Sequence, residues 1–505
     1  MDTLRGDLGR YFCAWELWDG MKNSIINEEY ERQNRWIRKE LHMSKYYNDE
    51  NRYIGTFNIL GEEIDGEIIH NKKTGVIFLD LAKQLDEKTF MGKSYANMPV
   101  ISFKINSGAI VTLFNNKCIN NHTNVGQTQR ICFRSDYLVW SSKVQKDAKF
   151  NELVCTLKNA FAWTQLSVFE TTDTGIKMKE GFDEREFSWF GVKVKFSVFS
   201  NETFWGPFDS EEKTIVQRVK LTIASETKRT IDELISIRDK ILAMISFAVK
   251  NNINVEEEYF LDYEDSYLIG DKIEQYHKHH LLSAQRELEV YDSKVWDYNF
   301  TLNQLPSDKD INKELEKLGP IFNLYLSLFK YRDMPLEMVF LNIVQALETF
   351  HSRFFYGDKK KKYVESVMER FSGAVIFDQL EKKLLSPTQM DENCSYIILV
   401  SRLNDLLIGN YNTIFYDYWG CEEDYGQLIA DTRHYYTHYG SSKEKKALKG
   451  DDLRDAIFVL SSLLEYHICL VLGIDIEEKV RQSLSSHNSW KQLEKAQIKE
   501  MEEKE

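Results

Sequence analysis

The amino-acid sequence predicts an α+β protein: a β-rich amino-terminal domain, antiparallel and sandwich-like, followed by a bundle of helices. Two patterns carry this. Between about residues 51 and 310, short apolar stretches alternate with polar residues at a period of two and are broken by turn signals; from 311 to 505 the apolar positions recur every three to four residues. Proline is scarce, at 6 residues, which leaves the long helical periods uninterrupted.

Residues 1–50 read as a helical arm, because EEYERQNRWIRKELHMSKYY is charged and aromatic and no glycine or proline follows Gly20. From Tyr53, YIGTFNILG and EIDGEIIHNKKTGVIFLDL read as strands, with NKKTG closing a hairpin. PVISFKI and SGAIVTLFNN continue the pattern. In VKVKFSVFS, Val192, Val194, Phe196 and Val198 alternate with Lys193, Lys195 and Ser197, so one face is buried and one is wet. The period then lengthens: Ile231, Leu234, Ile235, Leu242, Ile245 and Val249 form one broad stripe of a helix that braces the sheet. NNINVEEEYFLDYEDSYLIG is acidic and aromatic without a reactive constellation. His277, His279 and His280 in YHKHHLL fit no common ligand spacing and are expected on a surface helix.

In the helical region, which we take as one domain over 311–505, MPLEMVFLNIVQALETFHSRFF places Leu336, Phe340, Ile343, Leu347 and Phe350 on one side, and Pro335 suits a first-turn position. KKYVESVMERF and SYIILVSRLNDLLIG read as further helices. Another, CEEDYGQLIADTRHYYTHYG, is expected to stop at Gly440. DDLRDAIFVLSSLLEYHICLVLG spaces Leu453, Ile457, Leu460 and Leu464 for a core and stops at Gly473. The remaining stretch is a charged helix or frayed tail.

Composition bounds the function. At 505 residues, 43% apolar and 13% aromatic, the chain suffices for two or three domains with a sizeable core. Its seven cysteines are scattered and form no CxxC pair, which fits a reducing cytoplasm, and a cytoplasmic location is expected. The start, MDTLRGDLGRYFCAWELWDG, lacks the basic-then-apolar order of an export signal. The longest apolar runs, such as YIILV, fall short of the roughly 18 to 20 residues of a bilayer span, so no membrane association is expected. A net charge of −14 argues against coating nucleic acid through the overall field. Two local basic segments stand out, Lys359 to Lys362 and the group Lys443, Lys445, Lys446 and Lys449, each of which also suits a solvated helix end. Phosphate-loop, dinucleotide-fold and nucleophile-elbow motifs are absent, so kinase, dehydrogenase and serine hydrolase chemistry has no support.

The stretch DTRHYYTHYG, Asp431 to Gly440, concentrates reactive groups. Arg433 and His438 supply what metal-free cleavage of an RNA phosphodiester needs: a fixed cation for phosphate charge and a proton-transfer group near neutral pH. Five positions apart on a helix, they lie about 140° apart around its axis, so a groove or a second subunit must close the site. His434 and His438, four apart, share a face and with Asp431 suggest zinc or manganese. In a third reading, Arg433 pairs with a carboxylate and His438 caps the helix end. Spacing leaves all three open. Tyr435, Tyr436 and Tyr439 suit base stacking or core packing, and Glu348 and His351 lie on a helix able to face the motif.

The helical region resembles a HEPN domain, in particular the ApeA-type HEPN proteins of bacterial antiphage defence. Their hallmark is R-x4-H, commonly RNxxxH, written here Arg433-His434-Tyr435-Tyr436-Thr437-His438. QALETFHSR resembles the helix with the family's ALE-type signature, KALKGDDLRDAIFVLSSLLEY its closing helix, and GTFNILGEEIDGEIIH part of the ApeA amino-terminal domain.

The resemblance implies a metal-independent endoribonuclease without cofactor, acting as a homodimer with facing motifs and leaving 2′,3′-cyclic phosphate ends. Arg433 and His438 would be catalytic, His434, Glu348 and Tyr436 auxiliary, and Lys443, Lys445 and Lys446 would contact RNA. His434 departs from the commoner asparagine. Biologically it implies a toxin of abortive infection: a phage-derived protein trigger is sensed by the β-rich domain, and host RNA, tRNA or another structured RNA, is cut. The alternatives are a non-catalytic HEPN module binding RNA or protein, and a metal-dependent enzyme using His434 and His438.

Overall fold

The computed structural model describes residues 50–488, apart from segments between elements of which 82–96, 202–215, 372–384, 386–396 and 416–424 are the longest. The helical arm read over 1–50 lies outside the described residues except for Glu50, which opens the first strand.

Six strands close into a ring. They are β1 (Glu50–Ile59), β2 (Glu62–Asn71), β3 (Ile77–Leu81), β4 (Asn97–Ile105), β5 (Ile110–His122) and β6 (Arg130–Ser135). Antiparallel pairings run β1–β2–β3–β6–β5–β4 and back to β1. Alternation turns Phe57, Ile64, Ile68, Leu79, Ile101, Leu113 and Phe133 into one interior cluster. Gly66 is needed there, since a Cβ would lie 2.7 Å from the Asp80 carbonyl oxygen and 2.8 Å from the Phe57 ring.

The ring continues into an open sheet through a fork in β5. At 13 residues, β5 is long enough to pair along one edge with β7 (Tyr137–Ser141) over Ile110 to Phe114 and with β6 beyond it. At the fork Asn115 takes a left-handed φ of 54°. The buried Asn116 amide donates to the carbonyls of Met98 and Leu113 and accepts from Ser135 Oγ at 2.6 Å. The antiparallel β-rich expectation holds, and its sandwich-like closure takes the form of this single branched sheet.

The remaining strands are β8 (Lys149–Lys158), β9 (Phe169–Thr172), β10 (Gly175–Met178), β11 (Glu184–Trp189), β12 (Val192–Asn201), β13 (Val216–Thr230), β14 (Asn254–Ile269) and β15 (Ile273–Ser283). The open sheet runs β11-β12-β13-β8-β14-β15-β7, with β9 and β10 a separate hairpin. The NKKTG hairpin joins β2 to β3, with His70 opposite Ile77, and the alternation of Val192 to Val198 is that of β12.

YHKHHLL is a correction: it lies in β15, where the adjacent His279 and His280 point to opposite faces of the sheet. His279 is buried, with Nδ1 2.7 Å from Ser141 Oγ and Nε2 3.4 Å from Asp265, whereas His277 is exposed.

Helix α1 (Ile231–Val249) packs on β8 and β13. Thr230 and Glu233 form a capping box at its start, and Lys250 takes the left-handed position at its end. Its buried stripe is Ile231, Leu234, Arg238, Ile241 and Ile245, which leaves the expected Ile235 and Leu242 half-buried. The rotation follows from Arg238, whose guanidinium reaches the buried Glu258 of β14 at 2.5 Å. A buried charge requires such a partner.

The bundle comprises α2 (Asn312–Lys330), α3 (Leu336–Phe354), α4 (Lys360–Phe371), α5 (Leu399–Ile408), α6 (Tyr425–His438), α7 (Gly450–Leu472) and α8 (477–488). Helix α3 is central and touches α2, α5, α6 and α7. Phe247 of α1 packs against Phe322 and Tyr325 of α2, so one apolar core runs from the open sheet through the bundle. The buried Glu465 of α7 ties the join, accepting from Tyr325 at 2.5 Å and pairing with Lys250 at 2.6 Å.

Among the described residues one helix, α7, is long and apolar enough to cross a membrane; here it is mostly buried inside the bundle. The end expected at Gly440 falls one residue earlier. Tyr439 adopts the left-handed turn at φ 49°, held by its N–H to the Tyr435 carbonyl and by ring packing on Tyr435.

The bundle interior holds a polar group the apolar periodicity conceals. His351 Nε2 lies 2.9 Å from Asp405, Arg402 Nη1 lies 3.4 Å from His351 Nδ1, and His467 donates to the Leu406 carbonyl at 2.9 Å. Burial drives the His467 pKa down to about 4, against the opposing pull of that carbonyl. The unfolded chain therefore binds a proton that the native chain refuses. The corresponding stability, about 3 kcal/mol, is complete above the unfolded value near 6.5 and is lost as pH falls toward 4. Urea unfolding across this window should show a steep acid loss in the wild type and a shallower slope in His467→Gln, which retains an N–H donor.

Candidate active site

Helix α6 turns Gly426, Ile429, Asp431, Thr432 and Tyr436 inward. Gly426 allows close approach to α5, since a Cβ there would meet the Asn404 amide oxygen at 2.4 Å. The segment after the helix folds back onto it: the Leu448 N–H donates to Thr432 Oγ1 at 3.1 Å, and the Tyr436 hydroxyl donates to the Leu448 carbonyl at 2.9 Å. The outer surface carries His434, Thr437 and His438, all exposed.

Arg433 is half-buried and points toward α3, where Nη2 lies 3.7 Å from Glu348 Oε2. This is a long pairing between partly wet groups, worth at most about 1 kcal/mol, so it orients the guanidinium more than it stabilises the fold. His434 and His438 sit together with ring centroids 4.8 Å apart. No direct contact joins Arg433 to His438 among the described residues. The structure thus brings Arg433 to Glu348 and His434 to His438, and does not bring Arg433 and His438 together. His351, three residues further along α3, faces inward to Asp405.

The tyrosines divide by exposure. Tyr436 is buried against Phe340, and burial raises its pKa, with Glu337 adding to the shift; its hydroxyl is committed to Leu448. Tyr435 is half-buried under Lys449, whose Nζ lies 5.4 Å from the ring centroid. Tyr439, 68% exposed, is the ring of the three most open to solvent.

The lysines divide likewise. Lys443 is a tie to the helix, its ammonium 2.6 Å from the buried Asp431 carboxylate, which also accepts from Gln427 at 3.0 Å. Lys445 and Lys446 are exposed. Asp431, the carboxylate a metal reading would enlist beside His434, is therefore occupied. No set of three His, Cys, Asp or Glu side chains is placed to hold a metal ion among the described residues. Of the upstream basic run, Lys359 lies outside the described residues and Lys360 to Lys362 open α4.

The structure is a helical bundle that presents the R-x4-H helix beside a glutamate and is joined through one core to an antiparallel β domain. Family models identify both parts: residues 341–478 match the Apea-like HEPN domain, and residues 52–313 match ApeA N-terminal domain 1. The chain belongs to the ApeA-like HEPN family of antiphage defence proteins. HEPN domains are generally nucleases. Comparison with curated proteins and with solved structures returns no match.

The division of the lysines is testable by stability. Lys443→Ala strands a buried carboxylate and should cost about 1 to 2 kcal/mol in urea unfolding. Lys445→Ala and Lys446→Ala should each stay within about 0.5 kcal/mol of the wild type.

Proposed function

We propose that this protein is a metal-independent endoribonuclease of abortive-infection defence, with Arg433 and His438 as its working pair. The observation that carries the reading is the open end of α6, where an oriented arginine and an exposed histidine stand beside a second imidazole. His438 takes the proton of a ribose 2′-hydroxyl, the freed oxygen attacks the adjacent phosphorus as the bond from phosphorus to the 5′-oxygen breaks, and a protonated imidazole, that of His434 or of the facing copy, gives the leaving 5′-oxygen its proton. The products are a 2′,3′-cyclic phosphate and a 5′-hydroxyl. Arg433 binds the non-bridging oxygens, where negative charge grows in the transition state.

Within one chain the two groups diverge around the helix, so the site is completed by a second copy whose α6 faces the first. Glu348 holds Arg433 in position; Lys445 and Lys446 attract the RNA backbone, and Tyr439 offers a ring to an unpaired base. His434 assists His438 in proton movement or phosphate contact. The substrate is host RNA, tRNA or another structured RNA, and the β domain restrains the bundle until a phage-derived protein engages it. The protein acts in the cytoplasm.

Sequencing of RNA 3′ ends from cells expressing the wild type, Arg433→Ala and His438→Ala tests the reading. The wild type should yield cyclic-phosphate ends. Each variant should lose at least about 10² in cleavage rate with an unchanged melting temperature, and activity should survive EDTA. Folded variants that cut at the wild-type rate would remove the assignment. A wild type that binds RNA without ever producing new ends, even in the presence of phage lysate, would favour a binding module.

A further inference from the structure

Helix α5 is tied to three other helices by three successive residues. Asn404 lies against Gly426 of α6, Asp405 accepts from His351 of α3 at 2.9 Å, and the Leu406 carbonyl accepts from His467 of α7 at 2.9 Å. All three residues are buried. Each step along a helix turns the side chain by about 100°, which lets Asn404 meet α6 while Asp405 meets α3.

The protonation of the His351 ring follows from its neighbours. Arg402 Nη1 lies 3.4 Å from His351 Nδ1, and a guanidinium can only donate, so Nδ1 accepts and the ring proton is assigned to Nε2, where it donates to Asp405. A neutral imidazole thus stands between a cation and an anion, with all three side chains buried. The ring is also held by Phe355, stacked on it at 5.2 Å, and by Tyr363, edge-on at 6.1 Å. Turning it would take a donor from a buried carboxylate.

Glu348 sits on α3 three residues before His351, about 60° round the helix axis. Its contact with Arg433 is 3.7 Å long and partly wet, too weak to fix one helix against another. The packing of α3 on α6 includes Phe340 against Tyr436, about two turns from Glu348, and a contact at that distance leaves Glu348 free to swing. Helix α5 removes that freedom. It is pinned to α3 at His351 and seated on α6 at Gly426, where a Cβ would lie 2.4 Å from the Asn404 amide oxygen.

We infer that His351 and Asp405 are positioning residues: by locking α3 to α5, which is itself seated on α6, they aim Glu348 at Arg433. Both are enclosed in the bundle and act through Glu348. The consequence for RNA cleavage rests on the ribonuclease reading; the consequence for the Arg433 side chain does not.

The state of Arg433 is read by its reaction with phenylglyoxal in the full-length protein, followed by mass spectrometry. Glu348→Gln supplies the rate of an arginine without its carboxylate. His351→Leu, which removes the donor to Asp405, should shift the Arg433 rate at least about threefold and bring it to within about twofold of the Glu348→Gln rate, while His351→Gln, which retains an N–H donor, should stay near the wild type. Gly426→Ala reaches the same brace from the α6 side without touching a buried charge. It should shift the rate in the same direction by at least about threefold, and it stands in where His351→Leu does not fold.

Cleavage supplies the second readout. His351→Leu should lower kcat at least about fivefold with KM within about twofold of the wild type, since Arg433 binds charge that grows in the transition state. In the Glu348→Gln background the same substitution should add less than about twofold, because both changes act through one contact. Effects that multiply in the double variant would show a general structural role and overturn the inference.

Failure of the ribonuclease reading has a different signature. A wild type that never cuts RNA, or an Arg433→Ala variant that cuts at the wild-type rate, removes that reading and leaves the phenylglyoxal rates to decide the brace. An Arg433 rate that Glu348→Gln leaves unchanged overturns the inference, and so does a shift of less than about threefold in folded His351→Leu or, where that variant does not fold, in Gly426→Ala.

Discussion

The placement of the bundle against the sheet rests on the ion pair between Arg238 of α1 and Glu258 of β14. Both groups are almost wholly enclosed, and neither would tolerate burial alone. Their mutual need sets the rotation of α1, because the arginine must point down into the sheet. With that rotation, Phe247 near the helix end is directed onto Phe322 and Tyr325, and Lys250 at the left-handed cap reaches Glu465 of α7. One electrostatic constraint in the sheet therefore propagates, through a single rigid helix, to the core helix of the HEPN bundle.

Order within one element is legible in the sequence, and order between distant segments is not. Local periods were legible: Val192 to Val198 announced β12, and the stripe from Phe340 to Phe350 announced α3, because each pattern is complete within one element. The closure of the ring was not. It depends on β1 meeting β4 and on β3 meeting β6, pairings between distant segments to which the alternation within any strand is indifferent. The histidines of β15 carry no strong apolar phase and so leave its period unread, and in α1 the apolar spacing does not show that Arg238 joins the buried stripe while Ile235 and Leu242 stay half-buried.

At the candidate site the R-x4-H spacing was visible, and the residues around it were sorted only by tertiary contact. A run of lysines reads as a solvated surface in any sequence, yet Lys443 is a buried carboxylate's counter-ion while Lys445 and Lys446 are exposed. Three tyrosines in five residues read alike, yet one hydroxyl is spent on Leu448 and one ring stands open to solvent.

The branching of β5 has a further consequence for how the protein behaves in a crowded cell. A closed ring has few lateral edges, and the short β7 is paired on both sides, by β15 and by β5, while the far end of the open sheet is β11. That strand is six residues long and alternates Glu184 and Glu186 with its inward side chains, both carboxylates paired to lysines of β12. A short edge bearing negative charge is a poor template for another chain's strand. The end that β11 presents is thus poorly suited to edge-to-edge pairing with a neighbouring molecule.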